Sequence, residues 1–191
     1  MQQDRRKLIS LLAMRSARRG NFTLASGRQS SLYIDARLTT MSPEGLALIG
    51  PLGVEALRNA RWHVDAVGGL TLGADPIAYS ISYASAGSSA PIRAFTVRKE
   101  AKAHGTGKLI EGPFHSGDRV AVVEDVITTG GSALRAVSAI RDAGGEVVGV
   151  LALVDREEGG REALEEKGLR VMSLVTAADL LALESVAGSG S

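Results

Sequence analysis

The 191-residue sequence contains no cysteine, which excludes disulfide bonds, catalysis by a thiolate and zinc sites with cysteine ligands. Its three histidines, His63, His104 and His115, are far apart and form no HExxH pattern. No apolar run is long enough to span a bilayer, so we expect no membrane partner. The net charge is only +1, which gives no electrostatic reason to expect nucleic acid as a partner.

The remaining composition is that of a globular protein with 45% hydrophobic residues, and the length suits one domain with a substantial core. We therefore expect a single domain over residues 1–191 and a cytoplasmic protein. The basic N-terminus lacks the apolar stretch of a secretory signal. Leu8, Leu11 and Leu12 instead predict an amphipathic helix that stops at Gly20.

Strands and helices alternate along the rest of the chain. Strands are predicted over 64–70, 92–98, 119–125, 146–155 and 169–175, and helices over 74–85, 132–144 and 161–168. The strand segments are continuously apolar, which indicates a mostly parallel sheet covered on both faces in an α/β fold. Ligands bind such sheets beyond the carboxyl ends of the strands.

The segment over 98–118 separates two predicted strands and has little apolar content before Leu109. Its first part, Arg98 to Lys108, carries four cationic side chains, one glutamate and His104. Long loops in compact domains are usually functional or disordered. Two interpretations remain open from these residues alone: a solvated surface loop, or a lid for an anionic ligand.

The stretch EDVITTGGS, residues 124–132, joins the third strand to a helix. Gly130 and Gly131 let the backbone approach a ligand, and the helix that follows offers unpaired amides and a positive dipole end, which together favour a phosphate. Neither GxxxxGK[ST] nor GxGxxG occurs in the chain. A glycine turn with a serine cap would leave Glu124 and Asp125 unexplained. A phosphorylated sugar with vicinal hydroxyls, or a ligand carrying a divalent cation, explains both features.

With its flanking residues, VVEDVITTGGS resembles the motif of type I phosphoribosyltransferases that binds 5-phospho-α-D-ribose 1-diphosphate (PRPP). The form DVITTGGS is most similar to the orotate phosphoribosyltransferases. Four further segments resemble that family in order and spacing: FTLASGRQSSLYID (22–35), GGLTLGADPIA (68–78), RKEAKAHG (98–105) and VDREEGG (154–160). The resemblance covers nearly the whole chain.

The resemblance implies the type I phosphoribosyltransferase fold, with a mostly parallel central sheet flanked by helices. It also implies a small N-terminal hood-like substrate segment within residues 1–40 and a mobile catalytic loop over 98–117. The implied reaction converts orotate and PRPP to orotidine 5′-phosphate and diphosphate. Mg²⁺ would be carried by the diphosphate rather than by a protein cage. The implied assembly is a homodimer with shared active sites.

The same resemblance assigns roles to residues. Glu124 and Asp125 would bind the ribose hydroxyls, and Thr128 and Arg156 would bind orotate. The 5-phosphate would be held by Val126, Ile127, Thr128, Thr129, Gly130, Gly131 and Ser132. The diphosphate would be reached by Lys99, Lys102 and His104, with Arg98 contributed by the neighbouring subunit. The catalytic residues would be Lys102, His104 and Asp125, with Lys102 as the main stabiliser of the leaving group.

The sequence departs from the family at Ala25, where many members have a lysine. Two rival functions share the central motif: transfer to another base, such as a purine or uracil, and a PRPP-sensing regulator that binds nucleic acid. FTLASGRQS and VDREEGG argue against another base, and the presence of Lys99, Lys102 and His104 argues against a regulator. Asp75, Asp35 and Arg37 receive no functional role from the sequence.

Overall fold

A computed structural model describes residues 2–23, 29–100 and 108–187 of the chain. The N-terminal part contains a helix, a two-stranded hairpin and two further helices: α1 (Gln2–Arg15), β1 (Ala17–Thr23), β2 (Gln29–Ile34), α2 (Arg37–Thr40) and α3 (Pro43–Asn59). The predicted stop of α1 at Gly20 is wrong, because the helix ends at Arg15 and Gly20 lies within β1. Ser42 starts α3, since its hydroxyl accepts a hydrogen bond from the Gly45 amide.

The remainder of the chain builds the central sheet and its covering helices. The elements are β3 (Ala66–Leu70), α4 (Ala74–Ser85), β4 (Arg93–Val97), β5 (Ile110–Glu111), β6 (Arg119–Ile127), α5 (Gly131–Asp142), β7 (Glu146–Asp155), α6 (Gly160–Glu165), β8 (Val171–Thr176) and α7 (Ala177–Ala187). The strand order is β5-β4-β3-β6-β7-β8, and every pairing is parallel except that of β5 with β4. The expected fold class, a mostly parallel sheet flanked by helices, is confirmed.

Both faces of the sheet are buried, which explains the continuously apolar strands. On β6, Ala121 and Val123 pack into one core with residues of α1, α3 and α4. Val120 and Val122 point to the opposite face and pack into a second core with residues of α5. Within the described residues, no helix has the length and apolarity needed to cross a membrane.

The segment from Lys108 to Gly117 contains structure that the expectation of a loop over 98–117 did not include. Strand β5 pairs with the end of β4, and the ring of Phe114 packs against Phe95 with centroids 5.3 Å apart. Leu109 and Ile110 are partly buried against the second core. Residues 101–107 lie outside the described residues.

Candidate functional site

A cavity of about 280 Å³ lies where β3 and β6 end, beside the end of β4 and the hairpin β1–β2. Parallel pairing of these strands brings their carboxyl ends to one edge of the sheet. The lining residues come from the hairpin and the start of α2, the loop after β3, the segment after β4, and the β6–α5 junction: Tyr33, Ile34, Asp35, Ala36, Arg37, Leu70, Thr71, Leu72, Gly73, Lys99, Glu124, Asp125, Val126 and Ser132. This is the sheet edge at which the sequence predicts a ligand site.

Asp125 is one of the two carboxyl residues of the β6–α5 junction that line this cavity. Its Oδ1 accepts a hydrogen bond of 2.8 Å from the Val126 amide, and its side chain is half-buried. The loop after β3 passes directly against this carboxylate, because a Cβ added to Gly73 would lie 2.5 Å from Asp125. Only glycine permits this approach, so the loop and the carboxylate form two adjoining walls of one cavity.

Glu124 is also at the cavity, but its side chain is only 7% exposed and its Oε2 has no hydrogen-bond partner among the described residues. Burial, with a smaller contribution from the neighbouring Asp125 charge, raises the pKa of Glu124 to about 9. At neutral pH the group is therefore a neutral carboxylic acid. A neutral acid can donate to and accept from ligand hydroxyls, and it does not repel a nearby phosphate.

We expect the Glu124→Gln variant to become more stable than the wild type as pH rises from 6 to 9. The pKa of Glu124 rises from an ordinary 4.5 to about 9 on folding, so between these values the native state holds more protons than the unfolded state. The free energy of unfolding then falls with pH by at most about 1.4 kcal/mol per unit, and glutamine removes this loss. Thermal unfolding at both pH values measures the difference, with exposed Glu166→Gln as the control. Parallel pH dependences of the wild type and Glu124→Gln would contradict the buried neutral acid.

The turn between β6 and α5 has the form of a phosphate cradle. Gly130 adopts a left-handed φ of 78° and caps α5, and its carbonyl accepts from the Leu134 amide at 3.0 Å. Ser132 in the first turn is exposed and lines the cavity, and Thr129 and Gly131 are exposed beside it. Ile127 is buried in the second core, so only its backbone is available to a ligand. The cradle therefore combines α5 amides with hydroxyl donors, as the sequence predicts.

Arg156 directly follows β7, and its amide donates to the Ile127 carbonyl at 3.0 Å. Its side chain is buried, and its Nη2 donates to the Leu32 carbonyl and, at 2.8 Å, to Glu158. Arg156 therefore joins the hairpin to the carboxyl edge of the sheet. Its guanidinium is not among the groups that line the cavity, although Tyr33, the neighbour of Leu32, is.

The other predicted cationic residues occupy different positions. Lys99 lines the cavity, and its carbonyl accepts from Arg135 at 3.0 Å. Arg98 lies outside the lining and pairs with Glu111 at 3.7 Å. Lys102 and His104, and the departure at Ala25, lie outside the described residues.

The cavity also includes Tyr33, Asp35 and Arg37, which the sequence did not assign to the site. Tyr33 is 41% exposed and lies against Phe22, with ring centroids 5.5 Å apart. Tyr33 and Asp35 belong to the segment 22–35 that resembles a substrate segment, whereas Arg37 lies just beyond it; the position of the hairpin brings all three to the cavity.

Asp75, which the sequence left without a role, is buried beneath the loop after β3. Its carboxylate accepts hydrogen bonds from the Thr71 hydroxyl at 2.6 Å and the Thr96 hydroxyl at 2.8 Å. These bonds tie the cavity loop to the end of β4. Within the ranges that the structure describes, no group of three or more histidine, aspartate or glutamate side chains is arranged to hold a metal ion.

Comparisons with known proteins agree on one family. Residues 41–175 match the model of the phosphoribosyl transferase domain. The chain is 50% identical over 181 residues to an orotate phosphoribosyltransferase of Aquifex aeolicus, covering 93% of this chain and 98% of that protein. It is 51% identical over 177 residues to the orotate phosphoribosyltransferase of Mycobacterium bovis, covering 93% and 96%.

Solved structures give the same result. A Mycobacterium tuberculosis orotate phosphoribosyltransferase in complex with PRPP matches with a TM-score of 0.76 at 47% identity, covering 93% of this chain and 98% of that one. An adenine phosphoribosyltransferase of Leishmania donovani matches with a TM-score of 0.61 at 19% identity, covering 90% and 80%, which supports the fold alone.

Proposed function

Because the chain belongs to the orotate phosphoribosyltransferases, which transfer the phosphoribosyl group of PRPP to orotate in pyrimidine biosynthesis, we propose that the cavity at the carboxyl edge of the sheet is the active site. The junction of β6 and α5 is the feature that best supports placing the active site here. It presents Asp125, the neutral acid Glu124 and two cradle residues, Val126 and Ser132, to one cavity.

The cavity suggests an orientation for PRPP. Its ribose hydroxyls are placed at Glu124 and Asp125, and its 5-phosphate at the cradle over residues 126–132. The diphosphate then lies towards Lys99 and the loop over Thr71 to Gly73, which adjoins Asp125. Orotate is placed beside Thr128 and Tyr33, with Arg156 supplying the cation for its carboxylate.

The reaction breaks the bond between the anomeric carbon and the diphosphate, and a ring nitrogen of orotate forms a bond to the opposite face of that carbon. The proton that this nitrogen loses leaves to the departing diphosphate or to solvent. The carbon develops oxocarbenium character, so the negative charge of Asp125 near the ribose is favourable in the transition state. The predicted loop residues Lys102 and His104 stabilise the leaving diphosphate, with Lys102 in the main role. No covalent intermediate with the protein is needed, since positioning and charge stabilisation suffice.

Mg²⁺ is the proposed cofactor, and the donor set of the cavity suits it. Among the described residues no set of carboxylates is arranged to hold a metal ion, which is compatible with Mg²⁺ carried mainly by the diphosphate. When bound, the ion neutralises part of the diphosphate charge. Residues Lys99 and Asp125 then orient the substrate on either side.

A substrate panel tests the proposed reaction. With PRPP and Mg²⁺ present, we expect orotate to be consumed at least about 100-fold more efficiently than uracil, hypoxanthine or adenine, because a site that pairs with the orotate carboxylate rejects bases without it. Release of diphosphate measures the rate with each base, and a reaction without a base is the control. Preferential use of hypoxanthine or uracil would contradict the assignment.

We further propose a homodimer in which each catalytic loop serves the partner's active site. Tyr79 and Tyr83 lie four residues apart on α4, and they are 52% and 87% exposed. Leu72, which is 60% exposed, belongs to the cavity loop just before this helix. A second copy on this apolar surface would therefore lie beside the cavity. A single domain over 1–191, mobility of the loop over 98–117 and a cytoplasmic location stay predictions.

Mixed dimers test the shared site. Lys102→Ala damages the loop and Asp125→Ala damages the cavity, so each variant alone is expected to be inactive. If sites are shared, a mixed dimer contains one site with both defects and one with neither, and exchange of subunits restores part of the activity. Absence of recovery after demonstrated exchange would show that Lys102 acts within its own chain.

A further inference from the structure

Arg37 is the cationic residue at the cavity that neither the sequence motifs nor the proposed roles use. It starts α2, immediately after the hairpin, and its side chain is 51% exposed. Together with Lys99 it supplies the positive charge of the described cavity lining. The lining also contains the carboxylates of Asp35 and Asp125, so the described wall carries no excess of positive charge for an anionic substrate.

Asp35 holds the Arg37 side chain in a defined position. The Arg37 Nε donates to Oδ1 of Asp35 at 2.8 Å, and Nη2 donates to Oδ2 at 3.0 Å. The Asp35 amide is fixed in turn by the Ser16 carbonyl at 2.9 Å. This two-point contact uses one edge of the guanidinium, and Nη1 has no acceptor among the described residues. An arginine held in this way can accept an anion without first ordering its side chain.

A purely local role explains less of this arrangement. The pair also contributes to the start of α2, because Oδ1 of Asp35 accepts a hydrogen bond from the Arg37 amide at 3.2 Å, but that helix has only four residues. An exposed ion pair of this kind contributes little to stability. A local ion pair does not explain why both side chains line the same cavity as Lys99 and Asp125, whereas a bound anion does.

We propose that Arg37 is a substrate-binding residue that contacts the diphosphate group of PRPP, with Asp35 as the residue that positions it. This inference rests on the proposed placement of PRPP in the cavity. The diphosphate is the most highly charged group that the cavity receives, and it lies beside Asp125 and the adjoining Gly73 loop. A second cation there offsets the repulsion from Asp125.

The test compares Arg37→Ala and Arg37→Lys with the wild type. Arg15→Ala is the matched control, because Arg15 forms a partly exposed ion pair with Glu44 at 3.0 Å and does not line the cavity. Calorimetry with Mg²⁺ measures the binding of inorganic diphosphate and of PRPP, and steady-state kinetics give KM for orotate.

Arg37→Ala is expected to weaken binding of both diphosphate and PRPP about tenfold or more, as loss of a charge-assisted hydrogen bond does, while KM for orotate changes less than about twofold. Arg37→Lys is expected to restore part of the affinity, because lysine keeps the charge but not the two-point contact with Asp35. Arg15→Ala should match the wild type.

Unchanged diphosphate and PRPP binding in Arg37→Ala would overturn the proposal, and so would a selective rise of KM for orotate. Failure of the active-site placement gives a different result: the Asp125→Asn variant would then bind PRPP as the wild type does. A wild-type chain that binds PRPP and depends on Asp125 but not on Arg37 would reject only the role of Arg37.

Discussion

Replacing Asp125 with asparagine is expected to lower kcat/KM for PRPP about 100-fold. This is the loss expected when a charge-assisted hydrogen bond that stabilises the transition state is replaced by a neutral one. Asparagine keeps the shape of the side chain and can still accept from the Val126 amide through its carbonyl oxygen. It loses the negative charge that favours oxocarbenium character at the anomeric carbon. Initial rates at saturating orotate measure the effect.

The control for this variant is Asp142→Asn. Asp142 is exposed at the last turn of α5, the opposite end of that helix from the cradle. It should leave kcat/KM unchanged within about twofold, as surface substitutions commonly do. If Asp125→Asn and Asp142→Asn both changed kcat/KM by equal, small factors, the ribose would bind away from β6.

The Arg156→Ala variant is expected to lose about 100-fold in kcat/KM for orotate. Alanine removes the guanidinium proposed to make two charge-assisted hydrogen bonds to the orotate carboxylate. The Arg156 side chain pairs with Glu158 in the described structure, so orotate binding includes a rearrangement of this pair. Arg156→Lys keeps the charge beside Glu158 and should lose less. Rates at varied orotate and saturating PRPP measure both variants.

Thermal unfolding separates the effect of Arg156→Ala on stability from its effect on orotate binding. Arg156 is buried and also bonds the Leu32 carbonyl, so alanine is expected to destabilise the hairpin contact as well as orotate binding. If Arg156→Ala and Arg156→Lys both retained full orotate use, Arg156 would be a structural residue that only joins the hairpin to the sheet.

The sequence predicted the sheet and its helices well where one apolar pattern covered a whole element. Helix α4 was expected over 74–85 and spans Ala74–Ser85, and β7 was expected over 146–155 and spans Glu146–Asp155. β7 is buried by its neighbours in the sheet, and α4 buries one face while Tyr79 and Tyr83 stay exposed, so the apolar content of each is high enough to identify it. No prediction was made for α3, although Ser42 and Pro43 form a typical helix start.

The hairpin was not predicted because its strands carry little periodic apolar signal. β1, ARRGNFT, contains two arginines, a glycine and an asparagine, and Gly20 looks like the end of the preceding helix. Tertiary contacts hold the hairpin instead: Arg156 donates to the Leu32 carbonyl and Arg19 donates to the Leu181 carbonyl. Contacts between residues more than 100 positions apart cannot be inferred from local pattern.

The same distinction between local sequence pattern and long-range contacts applies to the residues of the candidate site. The β6–α5 junction is contiguous in sequence, so its carboxylates, glycines and hydroxyls were identified together, and Glu124, Asp125 and Ser132 line the cavity. Arg37 was not identified, because a pair such as Asp35 and Arg37 looks like a local ion pair until the hairpin brings it to the cavity. The neutral state of Glu124 likewise depends on burial, which a sequence does not give.

Binding of PRPP to two variants tests the central claim most directly, which is that ribose is held at the end of β6 and orotate is recognised separately at the end of β7. Calorimetry with Mg²⁺ and without orotate is carried out on the wild type, Asp125→Asn and Arg156→Lys. We expect Asp125→Asn to bind PRPP at least about tenfold more weakly and Arg156→Lys to bind it within about twofold of the wild type. The opposite order, or equal affinities in all three proteins, would contradict the placement of PRPP at Glu124 and Asp125.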